Sequence, residues 1–429
     1  MLALTPLLVF LGVYLVTSLV IKDFYKVPVA SAFVLASIYA VLISRGRPLR
    51  ERVAQFSAGA ADSKVLLMVW IFILAGAFAQ TAKDIGAIEA TVNLTLRLIP
   101  GSMLFAGLFF TACFISMSVG TSVGTIVALV PLASGIAQQT GMSIPFMTAI
   151  VVGGSFFGDN LSFISDTTIA ATQALSCEMR DKFKANLRIV APAVLVVFII
   201  YIVKGVGLEV EVPHGQVEWL KLMPYLMVLV LAFMGIDVLL ILSLGIVVNL
   251  VIGFMTGTLG WTSWLASMGE GIGGMGSLII VTLLAGGMME LMRLGGGLDC
   301  IVNALTPKRP DGSAGVVTLR EKCRAELSIA VLVSLANLCT ANNTIAIITS
   351  GGVAKDVQER FGLDRRRVSS ILDTFSCFVQ GLIPYGAQLL MASGLAGVSS
   401  ASIIGHLYYP FTLGVVSLLA IILPAFKRA

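Results

Sequence analysis

The sequence predicts an all-α polytopic membrane protein of two inverted-topology repeats, with helices broken or re-entrant near the bilayer midplane. Three observations carry this. The 429 residues are 57% hydrophobic and only 12% charged, with a mean hydropathy of +0.98, whereas soluble domains carry roughly 25% charged residues. Polar clusters interrupt the apolar runs where a straight helix would be crossing the bilayer core. The same features then recur, in the same order, in the second half.

Hydropathy places apolar spans at 4–21, 27–44, 65–82, 101–118, 125–138, 143–157, 161–175, 187–203, 222–234, 236–255, 277–293, 327–338, 344–354, 368–379, 381–394 and 404–425. Many fall short of the ~20 residues a helical crossing needs. The short ones cluster around 118–125, 158–166, 338–344 and 379–388, which read as breaks. Irregular backbone at that depth is tolerated only against protein or a wet cavity. The first span reads as retained, since it has neither a basic leader nor a small-residue cleavage site.

Residues Leu74-Ala75-Gly76-Ala77, Gly86 and Val92-Asn93 align without a gap, at an offset of 210, with Leu284-Ala285-Gly286-Gly287, Gly296 and Val302-Asn303. Further on, Ser155 to Leu161 falls opposite Ser376 to Leu382. The polar break Gly120-Thr121-Ser122-Val123-Gly124-Thr125 has its counterpart in Thr340-Ala341-Asn342-Asn343-Thr344. This order divides the chain into a first transmembrane repeat at 1–205, an extracellular or periplasmic linker at 206–221 and a second repeat at 222–429.

Loop charge sets the orientation. Arg45, Arg47, Arg50 and Arg52 place the loop after the second span in the cytoplasm. Its repeat-mate, roughly 256–274, has Glu270 and no Lys or Arg, and goes outside with the linker carrying Glu209, Glu211 and Glu218. The basic stretches 176–188 and 355–367 and the terminal Lys427-Arg428 go inside. The expectation is an inner (plasma) membrane protein with both termini cytoplasmic. Inverted repeats with paired broken helices mark secondary transporters that work by alternating access.

The segment Gly158-Asp159-Asn160-Leu161-Ser162, with Ser165-Asp166-Thr167-Thr168, puts two carboxylates inside this apolar frame. A charged Asp at a helix centre costs about 2.5–3.5 kcal/mol on insertion scales, so such a group is kept where it faces protein or a watery cavity. Asp159 and Asp166, wrapped in Ser, Thr and Asn oxygens, read as a cation and proton site. They stand seven residues apart, so an unbroken helix would set them on one face about two turns apart; a break near Ser162–Ser165 would fold them closer. Ser-Asp-Thr-Thr is also good helix-cap chemistry. Thr121, Ser122 and Thr125 either face the site or bond back to helix carbonyls. Asn342, Asn343 and Thr344 occupy the symmetric break, where adjacent amides need partners.

Other polar residues are auxiliary candidates. Glu290 is either a second proton-linked carboxylate or the partner of Arg293. Gln380 and Gln388, opposite Asp159 and Thr167, read as orienting groups or ordinary interhelical bonds. Asp373 caps its helix or joins the cavity, Asp237 reads as a helix cap, His406 as an interfacial anchor and His214 as a loop residue. The cysteines (Cys113, Cys177, Cys300, Cys323, Cys339, Cys377) and two histidines lack metal-ligand spacing, which argues against a metal centre or disulfide framework; no cofactor is expected. The net charge of +5 suits topology control better than nucleic-acid binding.

Phe157-Gly158-Asp159-Asn160-Leu161-Ser162 with Ile164-Ser165-Asp166-Thr167-Thr168 resembles the signature of NhaC-type sodium/proton antiporters. Gly120-Thr121-Ser122 with Gly124-Thr125 resembles that family's other polar break. The likeness extends over most of the chain, including Ile383-Pro384-Tyr385-Gly386. It departs at Phe163, where the family has Pro, and at Tyr385, where Trp is common. The resemblance implies the ion-transporter superfamily fold and exchange of Na⁺ for H⁺, with Asp159 and Asp166 as the Na⁺ carboxylates. Burial disfavours an ionised carboxylate while donors and a bound cation favour it, so one group can hold either proton or cation. Na⁺ is a hard cation that takes oxygen ligands.

Three alternatives stand beside the antiporter. A Na⁺- or H⁺-coupled carrier of a small organic acid or amino acid would use the same fold. No Arg lies in the breaks at 118–168 or 338–354 to favour an anion, although Ser, Thr, Asn and helix N-termini bind carboxylates unaided. An intramembrane aspartyl enzyme leaves the duplicated breaks without a use, and a channel does not need paired half-helices. The expected partners are Na⁺, H⁺, the lipid bilayer and a second copy in a homodimer.

Overall fold

The structure, a computed structural model, describes residues 2–21, 29–44, 48–119, 121–162, 165–208, 218–234, 236–297 and 317–423. Arg45, Arg47, Gly120, Phe163, Ile164, the linker residues 209–217 with His214, Cys300, Val302-Asn303 and Lys427-Arg428 lie outside the described residues.

Twenty α-helices and two short 3₁₀ turns account for the secondary structure of the described residues. The helices of the first half are α1 (Thr5–Ile21), α2 (Val29–Ile43), α3 (Leu49–Ala60), α4 (Ser63–Asp84), α5 (Ala87–Leu98), α6 (Leu104–Val119), α7 (Ser122–Thr140), α8 (Ile144–Leu161), α9 (Asp166–Leu175) and α10 (Met179–Gly205). Those of the second are α11 (Trp219–Phe233), α12 (Val238–Thr256), α13 (Trp261–Gly274), α14 (Gly276–Leu294), α15 (Leu319–Thr340), α16 (Asn343–Phe361), α17 (Arg365–Gln380), α18 (Ala387–Ala396), α19 (Ser400–Ile404) and α20 (Tyr408–Ile422). Among the described residues seven helices are long and apolar enough to cross a membrane, or eight if α5 and α6, bent by 106°, count as one. Ile144–Leu175 satisfies that criterion as a single interrupted span. This is the predicted class: an all-α, multi-pass membrane protein of two inverted repeats with broken helices.

Several boundaries differ from the hydropathy reading. Helices α3 and α13 lie where loops were expected, and α5 was not foreseen as a helix. α3 is amphipathic rather than uniformly apolar, and α13 is glycine-rich, so neither stands out in a hydropathy scan. Helix α10 begins at Met179, eight residues before its apolar run, and α18 begins at Ala387 rather than 381.

Each half lends an arm to the other. First-half α3 packs on second-half α14, and second-half α13 packs on first-half α4. Both contacts are backbone-close: a Cβ added at Gly76 would collide with the Gly271 carbonyl, and one at Gly286 would meet the Gly59 carbonyl at 2.9 Å. Gly76 and Gly286 are equivalents in the 210-residue repeat, so the same small-residue solution serves both.

The broken helices are bracketed in matching ways. Ser116 Oγ donates to the Ser155 carbonyl at 2.5 Å; at an offset of 221, Asn337 Nδ2 donates to the Ser376 carbonyl at 2.7 Å. Ser155 Oγ bonds back to Val152 O and Ser376 Oγ to Asp373 O. Helix α15 turns into α16 through Ala341, at φ 49°, and Asn342, which caps α16. A smaller core of Ala171, Ile329, Ile347 and Leu372 joins α9 to α15, α16 and α17.

Candidate functional site

The site is built where α8 stops. A helix leaves its last carbonyls without amide partners, and here the break at 162–165 leaves those of Asp159 and Asn160 inside the protein. Side chains donate to both carbonyls. Ser165 Oγ and Thr167 Oγ1 donate to Asp159 O at 2.9 and 2.8 Å. Lys182 Nζ and Asn186 Nδ2, both from α10, donate to Asn160 O at 3.2 and 2.8 Å. Ser165 also caps α9, accepting from the Thr168 amide.

The Asp159 carboxylate, 5% exposed, meets the start of α7. The Ser122 amide donates to its Oδ1 at 3.2 Å, so the positive end of the α7 dipole faces it. The preceding Gly158 lets α8 lie close against α6: a Cβ there would collide with Ser116. Asn160 Nδ2 bonds to Phe156 O and reaches Tyr409 Oη at 3.4 Å.

A second buried carboxylate completes the cluster. Asp373, in the middle of α17, is fully buried and pairs with Lys182 Nζ at 2.9 Å. Asn186 Nδ2 donates to the same oxygen, Oδ2, at 2.5 Å. Lys182 also donates to Thr168 Oγ1 at 2.6 Å. Lys182 and Asn186 were not singled out from the sequence, where Lys182 sits among Arg180, Asp181, Lys184 and Arg188 and resembles a cytoplasmic loop. The available signal was periodic: Lys182, Asn186, Ile189, Val190, Ala193 and Val197 form one continuous buried face, with the first two polar members at i and i+4.

The second break repeats the arrangement with neutral groups. Gln380 Nε2 donates to Ala341 O at 3.0 Å and to Gln388 Oε1 at 2.9 Å. Gln388 Nε2 reaches Ser122 Oγ at 3.0 Å, so Ser122 touches both breaks. Tyr385 Oη donates to Leu338 O at 2.7 Å.

The other expected residues fall into three groups. Thr167, Thr168, Ser162 and Asn160 are buried with Asp159. Asp166 is not: it stands exposed in the first turn of α9, so the expected pairing of Asp159 with Asp166 gives way to a cluster with Asp373 as the second buried carboxylate. The reason is local. The first residue of α9 follows the Ser165 cap and faces away from the side on which Thr167 and Thr168 turn inward. Thr125 bonds back to Thr121 O, and half-buried Thr121 leads into α7 without a side-chain cap bond. Asn342 caps α16 through Ile345 N; Asn343 is buried, with Oδ1 on Thr344 N and Nδ2 toward Cys377 Sγ at 3.7 Å. Thr344 is half-buried. Glu290 forms a two-pronged ion pair with Arg293, at 2.8 and 2.7 Å, and Asp237 caps α12 through Leu239 N.

A cavity of about 440 Å³ opens beside Glu290, Arg293 and Asp62 and reaches Cys339, Thr340 and Thr349. A second pocket of about 60 Å³ shares Val65, Gly286 and Thr340 with it and is lined also by Asn342, Tyr385 and Ala387. It leads to the turn between α15 and α16 and the start of α18, the second-half break.

Broken helices around buried carboxylates, within a chain of membrane-crossing apolar helices, define a membrane transporter rather than an enzyme. The chain belongs to the Na⁺/H⁺ antiporter family, whose profile matches residues 1–206 and 219–427. It is 23% identical to the malate-2H⁺/Na⁺-lactate antiporter of Bacillus subtilis (strain 168), over 94% of this chain and 91% of that protein. It is 22% identical to the Na⁺/H⁺ antiporter NhaC of the same organism, over 85% of this chain and 84% of that one. Among solved structures, the Alcanivorax borkumensis YdaH transporter aligns with a TM-score of 0.43 and 14% identity, covering 93% of this chain and 98% of its own.

Proposed function

We propose that this protein exchanges Na⁺ for H⁺ by alternating access, with Asp159 as the carboxylate the two ions share. The observation that carries the reading is the Asp159 carboxylate itself: buried at a helix break, facing the amide end of α7, with the helix-end carbonyls of Asp159 and Asn160 held by side chains beside it. Asp159 with Thr167, Thr168, Ser162 and neighbouring carbonyls supplies the oxygen set a hard monovalent cation takes. A proton on that carboxylate removes the charge holding the cation, so occupancy alternates. On this reading Asp166 adds charge at a half-helix end. The loop charges support a plasma-membrane protein with both termini in the cytoplasm.

The test is exchange in liposomes loaded with a pH-sensitive dye, with Na⁺, Li⁺ and K⁺ added in turn. Na⁺-driven proton movement is expected, falling below about a tenth in Asp159→Asn, the loss that about 1.4 kcal/mol produces. Undiminished exchange in that variant sinks the assignment.

A second reading is exchange of small organic acids. One relative is named for malate and lactate, and a cavity of about 440 Å³ falls in the size range of small-molecule sites, roughly 300–1,000 Å³. Liposomes silent to every cation but responsive to malate or lactate favour it.

A further inference from the structure

We propose that Lys182 Nζ occupies a second cation site, and that Na⁺ can enter that site only when the lysine withdraws. The inference rests on the reading of the protein as a cation exchanger and adds a device to it. The ammonium is held by a helix-end carbonyl (Asn160 O, 3.2 Å), a hydroxyl (Thr168 Oγ1, 2.6 Å) and a carboxylate (Asp373 Oδ2, 2.9 Å). One carbonyl, one hydroxyl and one carboxylate also make a donor set for a hard monovalent cation. Lys182 and Asp373 side chains are 1% and 0% exposed, so the pair is shut off from bulk solvent. Two more oxygens of the cluster, Asn160 Oδ1 and Asn186 Oδ1, are buried without a hydrogen-bond partner among the described residues. Buried acceptors normally find donors; acceptors left over around a positive charge are what a differently placed cation would use. Among the described residues no group of three or more His, Cys, Asp or Glu could hold a metal, so the oxygens suit an alkali ion rather than a transition metal.

Packing does not require this ionic trio. At the 221-residue offset that relates the brackets of the broken helices, Asp373, Lys182 and Asn186 correspond to Val152, Ile403 and Leu407. All three are fully buried and apolar, and α8 packs on α19 there as α17 packs on α10. One half thus closes the joint with hydrocarbon, and the other with a charge pair. Replacing a buried ion pair with apolar groups is often neutral or stabilising, so stability is no reason to keep the charges. The Asn160 carbonyl belongs to the same broken end as Asp159. An ion arriving there competes with Lys182 for the same lone pairs, and displacement of the lysine moves α10 relative to α8 and α17.

The test is equilibrium binding of radioactive Na⁺ to purified protein in detergent. Lys182→Met, which keeps the stem and removes the charge, is expected to bind one more Na⁺ per chain than wild type. Lys182→Met/Asp373→Asn is expected to lose that ion, and Lys182→Arg to gain none. Should Lys182→Met be unstable without salt, its melting temperature is expected to rise in NaCl but not in choline chloride, since an ion that binds only the folded state stabilises it. A Lys182→Met that gains no Na⁺ and melts alike in both salts overturns the proposal. If wild-type binding is then still lost in Asp159→Asn, the exchanger reading stands without the second site. If Lys182→Met gains its ion while Asp159→Asn changes neither binding nor transport, the second site stands and the role of Asp159 falls.

Discussion

At Asp159 the side chain and the main chain face different partners. The carboxylate meets the amide end of α7, while the carbonyl takes the hydroxyls of Ser165 and Thr167 across the break. Thr167→Val keeps the shape and removes one of those donors; a loss of about 1 kcal/mol in stability is expected, read as a lower melting temperature in detergent. Asp166→Asn is expected to do much less to exchange than Asp159→Asn, because Asp166 is exposed; its cost is the charge at a helix N-terminus, roughly 0.3–1 kcal/mol. Liposome assays of the two variants side by side separate the roles. Asp159, Asn160 and the hydroxyls were legible as polar groups in an apolar run. Lys182 was not, because charged residues within two positions on either side make its segment look solvated. The turn of Asp166 to the surface was not legible either, since the geometry of the break, not its composition, decides which side the next helix presents.

At the scale of elements, the breaks were legible and the amphipathic helices were not. Polar residues interrupting apolar runs located the ends of α8, α15 and α17. Helices α3, α5 and α13 carry no long apolar run and could be found only by what they pack against. The bracket from Asn337 to the Ser376 carbonyl holds α15 to α17 beside the second break. Asn337→Leu removes the donor and leaves a buried carbonyl without it, a loss of about 1–3 kcal/mol, expected as lower thermal stability that excess Na⁺ does not restore. Gly158→Val forces a side chain into Ser116 and is expected to cost about 1–3 kcal/mol by overpacking, with reduced yield of folded protein.

At the scale of the molecule, the cavity beside Glu290 and Arg293 lies next to the second-half break. Cys339 lines it, whereas Cys113 and Cys377 are buried elsewhere. In a background with Cys177, Cys300 and Cys323 replaced by Ser, a small thiol reagent is expected to modify Cys339 from the cavity side and to spare the other two. The proposed alternating access predicts that this rate changes with Na⁺ and with an imposed pH gradient; equal rates in all conditions would rule out gating at this cavity.

The exchange of arms between the halves also bears on how the chain is made. Helix α4 leaves the ribosome long before α13, the helix that covers its Gly76 face. At ~5–20 residues per second, the interval is on the order of ten to forty seconds. During it a strip of bare backbone on α4 lies against lipid or the insertion machinery. The first half is thus inserted well before it can be finished, and a ribosome that stops midway leaves a seam with nothing to close on.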